Sequence, residues 1–302
     1  MTDQYAEALV ISASRRYVTL WRSGEGLLHG TVAHKALDVT VGDIVNYEIR
    51  HGKPFVASIR GGERVLWRSY HGKKRRIGAN IDRLLIITAA DATFNLSAID
   101  RILTAAQVSR IPVSLVINKS ELGCEPLEPV LDVYRELGVE VVFSSAKLRG
   151  GAESVRAIVE RPEARIIALA GVSGVGKSTL INVLIPEAKT KVGDTTWKTG
   201  QGRQTTTQPY GYLYPDLHSG ARLVIDYPGV QFFGVSHLTA SDVRKAFDDL
   251  QRRAVGCQFA DCSHVPEDVC GVKRALEDGS VAPWRYESYL AMLGEIEEAR
   301  RY

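Results

Sequence analysis

The segment Gly171-Val172-Ser173-Gly174-Val175-Gly176-Lys177-Ser178-Thr179 follows the apolar run RIIALA and precedes LINVL, so G-x-x-x-x-G-K-[ST] falls between a strand and a helix. The amides of such a loop, with the start of the helix, surround phosphate oxygens. Lys177 then reaches the β- and γ-phosphates, and Ser178 offers its hydroxyl to Mg²⁺. A second chemical set is Cys257, Cys262, His264 and Cys270, spaced C-x4-C-x-H-x5-C. Three thiolates and an imidazole form a closed tetrahedral set, the pattern of a structural Zn²⁺ site with no position left for water. The flanks, QFADCSHVPEDVCGV, hold little apolar surface, so the metal would supply folding energy there. Incidental cysteines and an iron–sulfur or redox site are the alternatives. Cys124 lies outside the set and reads as an ordinary thiol.

A phosphate loop selects a nucleoside triphosphate but not a base. VINKSEL, 116–122, ends another apolar strand and sets Asn118-Lys119-Ser120-Glu121 in the pattern of the guanine motif N-K-x-D. In that motif the carboxylate accepts from guanine N1 and N2, contacts adenine cannot make, while Asn and Lys brace the base and the phosphate loop. Glu121 stands in place of Asp, and its extra methylene moves the acceptor by about one C–C bond, which predicts weaker guanine affinity or relaxed base choice. The next strand, VEVVFSSAK, ends in Ser145-Ala146-Lys147, the S-A-K element that brings backbone amides near guanine O6. Beyond the phosphate loop, Arg203, Gln204, Thr205, Thr206 and Thr207 lie in the polar stretch GDTTWKTGQGRQTTTQ, as a first switch would. One of these threonines is expected to join Mg²⁺ and the γ-phosphate. RLVID then leads into Asp226-Tyr227-Pro228-Gly229, a D-x-x-G element whose Asp holds Mg²⁺ through water and whose Gly amide senses the γ-phosphate.

These residues need elements to position them. From residue 83, continuous apolar runs (RLLIITAA, PVSLVIN, VEVVFSS, ARIIALAG) alternate with amphipathic stretches (LSAIDRILTAAQV, LEPVLDVYRELG). That texture predicts a doubly wound α/β sheet with its functional loops at the carboxyl ends of the strands. Earlier residues carry short alternating runs instead: YVTLWR, LLHGTVA, DIVNYEIR, PFVASIR and RVLWRS, punctuated by Gly24, Gly26, Gly42, Gly52 and Gly61-Gly62. Strands of this length predict a small closed all-β barrel of OB type, with an SH3-like barrel as the other option. HGKKRRIGAN, 71–80, reads as a linker or an exposed RNA-contacting arm. After 236 come DVRKAFDDLQRRAV, the Cys/His cluster and a closing helix near 282–301, on which Trp284, Leu290, Leu293 and Ile296, beside Tyr286 and Tyr289, form a core-facing stripe. The predicted division is a barrel over 1–72, a nucleotide-binding α/β domain over 73–235 and a zinc-binding helical module over 236–302.

The bulk properties agree with a multidomain globular chain. It has 302 residues, 45% apolar and 24% charged, which excludes disordered and fibrous classes. No apolar run approaches the roughly 18 residues of a membrane span, and MTDQYAEALV lacks the basic start of a secretory signal, so a cytoplasmic protein without a membrane partner is expected. The net charge of +3 is uneven: residues 1–80 hold 13 basic against 7 acidic side chains, and residues 236–302 hold 9 against 12. An RNA-binding surface would use that N-terminal excess, and a solvated basic face would explain it equally.

The motifs run Asn118, Ser145, Gly171, Thr205, Asp226, whereas ordinary GTPases place the phosphate loop first. This is a circular permutation of an α/β P-loop GTPase domain. With the barrel, G-R-x-T-T-T at 202–207 and the Cys/His cluster, the whole chain resembles the ribosome small subunit-dependent GTPase family (RsgA-like). The resemblance implies GTP/GDP, Mg²⁺ and one structural Zn²⁺, and GTP hydrolysis stimulated by the small ribosomal subunit during its late maturation. It also implies an rRNA-facing barrel and a monomer when free. Where the family carries histidine beside the threonine run, Gln204 and Gln208 flank it, and Val230 is apolar where small GTPases carry their water-orienting Gln. Either Gln204 or Gln208 orients the attacking water, or both face solvent. The competing reading is an RNA-binding assembly factor that uses GTP as a latch with negligible hydrolysis. A P-loop ATPase or kinase is disfavoured by Asn118 and Ser145.

Overall fold

The computed structural model describes residues 5–34, 36–70, 72–188, 208–215, 222–227 and 233–301. The positions assigned to the first switch (Arg203, Gln204, Thr205, Thr206, Thr207), and Gly229 and Val230, lie outside the described residues.

Five short strands, β1 (Ala6–Ala13), β2 (Tyr17–Arg22), β3 (Gly26–Val32), β4 (Ile44–Arg50) and β5 (Lys53–Arg60), close a barrel in the order β1-β2-β3-β5-β4. Its interior is Ala8, Val10, Val18, Leu20, Val45, Tyr47 and Val56, with Leu28 and Val32 of β3 partly buried against them. The expected strand set needs correction. AEALVISA is the first barrel strand; with only one charged residue it lacks the regular polar alternation that marks its neighbours. A register shift at Val10/Ser12 lets it pair with both β2 and β4. RVLWRS is not a barrel strand.

That run instead supplies β6 (Leu66–Tyr70), which pairs antiparallel with β7 (Lys73–Gly78) in a separate two-stranded sheet. The expectation of a linker at 71–80 is therefore overturned; of the alternative, an exposed RNA-contacting arm, the exposure holds for Lys73, Lys74 and Arg75 but not for Ile77 and Gly78. Ile77 is buried, and Arg76, rather than pointing only to solvent, pairs with the fully buried Asp43 at 2.7 Å. The hairpin is welded to the barrel by that ion pair and by the Ala79 amide donating to Val41 O.

The α/β sheet has the order β10-β9-β8-β11-β13-β12, with β8 (Arg83–Ala89), β9 (Val113–Asn118), β10 (Glu140–Phe143), β11 (Ile166–Ala170), β12 (Tyr210–Tyr214) and β13 (Arg222–Asp226). All neighbours are parallel except the edge pair β12/β13. Along β8, Leu84 and Ile86 face one core while Leu85, Ile87 and Ala89 face the other, which is why the run is continuously apolar. Helices α3 (Glu153–Val159) and α4 (Lys177–Leu184) cover one face; α1 (Leu96–Val108) and α2 (Glu128–Glu136) cover the other. Strands β9 and β10 precede the phosphate-loop strand β11 in sequence yet lie outside β8 at one edge, so the permutation leaves the sheet order intact and moves only the chain ends.

Behind α1 pack α5 (Ala240–Ala246), α6 (Asp248–Arg253), α7 (Gly271–Glu277) and α8 (Pro283–Arg301). The run DVRKAFDDLQRRAV is two helices broken at Phe247, whose ring is buried. Thr239 and Asp242 form a capping box that starts α5. On α8, Tyr289, Leu293 and Ile296 are buried, as the stripe required, with Trp284, Tyr286 and Leu290 packed beside them. Among the described residues no helix is long and apolar enough to cross a membrane.

Candidate functional site

The phosphate loop leaves β11 and enters α4. Gly171 is buried so closely that a Cβ there would collide with Ile87 O of the neighbouring strand. Gly176 has φ +92°, and a Cβ on it would strike Asn118 Nδ2, so only glycine serves this position. Val175 is buried, Val172 half-buried, and Ser173, Gly174, Ser178 and Thr179 are exposed along the loop and first helical turn. Lys177 curls over the loop and donates to Gly171 O at 2.9 Å and, more weakly, to Val172 O at 3.4 Å. Burial lowers its pKa, with Asp226 opposing that shift.

Asp226 ends β13 opposite Leu169 of β11, which brings its carboxylate beside the loop. Burial pushes its pKa up to about 6, and Lys177 alone pulls the other way. Its Oδ1 is buried without a hydrogen-bond partner among the described residues. A desolvated carboxylate oxygen of this kind, left without a partner among the described residues at the phosphate loop, fits a cation site. Tyr227 follows, fully buried, its hydroxyl against Gly78 of β7.

Asn118 joins the phosphate and base loops. Its Nδ2 donates to Val175 O at 2.8 Å and its Oδ1 accepts from the Ala146 amide at 3.2 Å. Ser120 Oγ and Ser145 Oγ are 2.9 Å apart, and the Ser120 amide donates to Ser144 O. Lys119, with φ +57°, sends Nζ to Gly174 O at 2.8 Å and to Asp91 Oδ2 at 2.6 Å. Glu121 is exposed in the short turn Ser120–Leu122, and Cys124 is half-buried behind that turn. Gln208, the only flanking glutamine among the described residues, is exposed just before β12.

In the C-terminal module one ligand atom from each of Cys257, Cys262, His264 and Cys270 lies within 4.8 Å of the others. Cys257 Sγ and Cys270 Sγ are 3.8 Å apart, and His264 Nδ1 is 3.5 and 3.4 Å from them. A tetrahedral ion with Zn–S of about 2.3 Å requires S–S edges of about 3.8 Å and slightly shorter S–N edges, so the donor set fits zinc. The surrounding loop is held from α8: Tyr286 Oη donates to His264 O and Tyr289 Oη to Ser263 O at 2.9 Å. The two tyrosines assigned to the core stripe thus also brace the loop that carries the Cys/His cluster.

Asp91 and Thr93, missed in the sequence, lie on the loop after β8 against Lys119 and Gly174. Their one signal was position, at the carboxyl end of a central parallel strand. Arg285 was missed too: its side chain, 2% exposed, pairs with Asp100 at 2.6 Å and with Asp249 at 2.8 Å.

Phosphate loop, base loops and D-x-x-G aspartate converge at the carboxyl edge of a P-loop sheet in permuted order, which defines a circularly permuted GTPase domain. A family model described as RsgA GTPase matches residues 60–236. The chain is 39% identical over 228 residues to the small ribosomal subunit biogenesis GTPase RsgA of Chlorobaculum tepidum, covering 75% of this chain and 71% of that protein. It is 33% identical over 299 residues to the protein of the same name from Paraburkholderia phytofirmans, covering 97% and 94%. The crystal structure of YjeQ from Thermotoga maritima superposes with a TM-score of 0.70 at 26% identity, covering 97% of this chain and 98% of that one. The chain belongs to the RsgA GTPase family.

Proposed function

We propose that the chain hydrolyses GTP to GDP and phosphate during late maturation of the small ribosomal subunit, and that the subunit stimulates turnover. The observation that carries this reading is Asn118, whose amide ties the phosphate loop to the Ser145-Ala146 loop and so aligns the two halves of a guanine nucleotide site. The small subunit enters from the names of the relatives.

In this reading the amides of residues 171–176 hold the phosphates, and Lys177 swings from its carbonyl partners onto the β- and γ-oxygens. Ser178 and Asp226 hold Mg²⁺, the latter through water, with Thr205 or Thr206 completing the set and the Gly229 amide sensing the γ-phosphate. Mg²⁺, when bound there, would neutralise charge that develops on the transferring phosphoryl group. Lys119, Glu121, Ser145 and Ala146 surround the guanine, and Gln204 orients the attacking water. Cys257, Cys262, His264 and Cys270 hold one structural Zn²⁺. The division into 1–72, 73–235 and 236–302 belongs to the same proposal, with its first boundary carried past β7 so that the β6/β7 hairpin stays with the barrel, as do a cytoplasmic location and a free monomer.

A basic, aromatic surface supports rRNA as the partner. Lys74 Nζ lies 4.3 Å from the Trp67 ring, Arg68 and Arg75 approach the Tyr70 ring, and on the barrel Arg50 stacks 4.0 Å over Phe55. Such pairs offer phosphate neutralisation and base stacking together. The deciding experiment is GTP turnover titrated with purified small subunits. Saturable stimulation, abolished by Lys177→Ala, is expected. Negligible turnover at every subunit concentration, with GTP still controlling RNA binding, would replace the enzyme by a nucleotide-controlled latch.

A further inference from the structure

Asp91 and Thr93 belong to no phosphate, base or switch motif, yet they sit between the two loops that recognise the nucleotide. Asp91 Oδ1 accepts from the Thr93 amide at 2.9 Å and from its hydroxyl at 2.5 Å, which fixes the carboxylate rotamer. The other oxygen receives Lys119 Nζ, which also donates to Gly174 O in the phosphate loop. Thr93 Cγ2 lies beside Gly174, so the loop after β8 touches both the lysine and the loop the lysine spans. These hydrogen bonds hold the Asp91 carboxyl down to about 2, so it stays charged throughout the physiological range.

We propose that Asp91 is a positioning residue of the guanine site: its ion pair holds Lys119 across the phosphate loop and thereby sets nucleotide affinity. This rests on the guanine-site reading of Asn118-Lys119. A lysine has many rotamers, and a site that must order it on binding loses affinity to that cost. Here the side chain is tied at its tip to a carboxylate and a carbonyl, and its backbone is fixed in the left-handed region at φ +57°. The opposite effect is a real competitor, because an acid near the phosphates repels them. The sign of the change on removing Asp91 separates the two.

The experiment uses the full chain carrying Asp91→Ala or Asp91→Asn, each alone and combined with Lys119→Met. Asp91→Asn keeps an acceptor for Thr93 and so guards against loss of the loop fold. Binding and release of fluorescent GDP, KM and kcat for GTP, and Tm are measured. The pair is partly exposed, with side chains 23% and 26% accessible, which places the expected loss of GDP affinity for Asp91→Ala below the full value of a buried charged pair. We expect about 5- to 10-fold weaker binding, with KM rising more than kcat falls, and about half that loss on a logarithmic scale for Asp91→Asn. On the Lys119→Met background the Asp91 substitutions should change affinity by less than about twofold. Unchanged or tighter GDP binding by Asp91→Ala, or an equal loss in both backgrounds, overturns the proposal while leaving the guanine site standing. Full guanine affinity in Lys119→Met overturns both.

Discussion

Arg285→Met tests how the C-terminal module is fastened to the GTPase sheet. Arg285 on α8 reaches Asp100 on α1 and Asp249 on α6, and its guanidinium stacks 4.2 Å over the Phe247 ring. The Asp100 side chain is 0% exposed and that of Asp249 20% exposed, so the two partners respond differently to losing the cation. Asp249 can turn to water. Asp100 cannot, and keeps only neutral hydroxyl partners, that of Tyr134, 2.9 Å away, and that of Ser288. Burial already pushes the Asp100 carboxyl up against the pull of Arg285. Breaking a buried pair from one side costs about 3–5 kcal/mol. For a chain of 302 residues, at about 2.1 cal/mol/K of unfolding entropy per residue, that lowers Tm by roughly 5–8 °C. The assay is thermal unfolding followed by circular dichroism at pH 7, repeated at lower pH, where protonation of Asp100 should shrink the deficit. The double variant Asp100→Leu/Arg285→Met removes both charges and should regain most of the loss. The reasoning is refuted if the single variant costs under about 1 kcal/mol, or if the double variant is as unstable as the two singles added together.

The purified chain should contain one equivalent of Zn²⁺. Chelation, or Cys262→Ser, should release the helices packed on the metal loop while the α/β sheet keeps its own transition; intact C-terminal protection from hydrogen exchange after metal removal would contradict this. Gly78→Ala sets a methyl against the Tyr227 hydroxyl next to Asp226, so it should cost about 1–3 kcal/mol and lower kcat; wild-type values for both would show that the contact yields freely. Burial, helped by Lys74, lowers the His237 pKa from 6.5 to about 4. A histidine held neutral in the fold stabilises it above pH 6.5, and that contribution disappears as pH falls from 6.5 through 4. His237 is partly exposed, so after allowance for solvent screening the effect is about 1 kcal/mol; His237→Asn should flatten the pH profile of Tm across that window, and a profile of wild-type steepness would assign the titration elsewhere.

The parts of the fold that sequence revealed are those whose residues answer to local rules. Glycines at 171 and 176 mark a turn no other residue can make, and the Cys/His spacing needs only one short loop. The doubly apolar β8 announced burial on both faces. The errors fall where tertiary context decides. AEALVISA has the residues of a strand but no clear period, and only its two partners in the closed barrel show why it is one. The KKRR run hid β7, because its cations spread over the hairpin's aromatic rings and Arg76 turns inward to a buried acid far off in sequence. Asp91 and Arg285 were silent for the same reason: each owes its role to partners 28 and 185 residues away.

The permutation changes what the nucleotide-sensing strands are attached to. Strands β9 and β10, which end in the base loops, lie upstream of the phosphate loop and are continuous with the barrel and hairpin. Strand β13, which ends in Asp226, leads instead toward the helices that flank the Cys/His cluster. The same hairpin holds both sides of that exit. Gly78 on β7 receives Tyr227, while Ser69 on β6 bridges Gly234, its amide donating to Gly234 O at 2.8 Å and its hydroxyl accepting from the His237 amide. Beyond it, Glu295 of α8 accepts from the amides of Val235 and Ser236 and pairs with Arg101 of α1. The chain on either side of this exit is therefore anchored to two neighbouring units, the barrel-hairpin unit through Tyr227 and α8 through Val235.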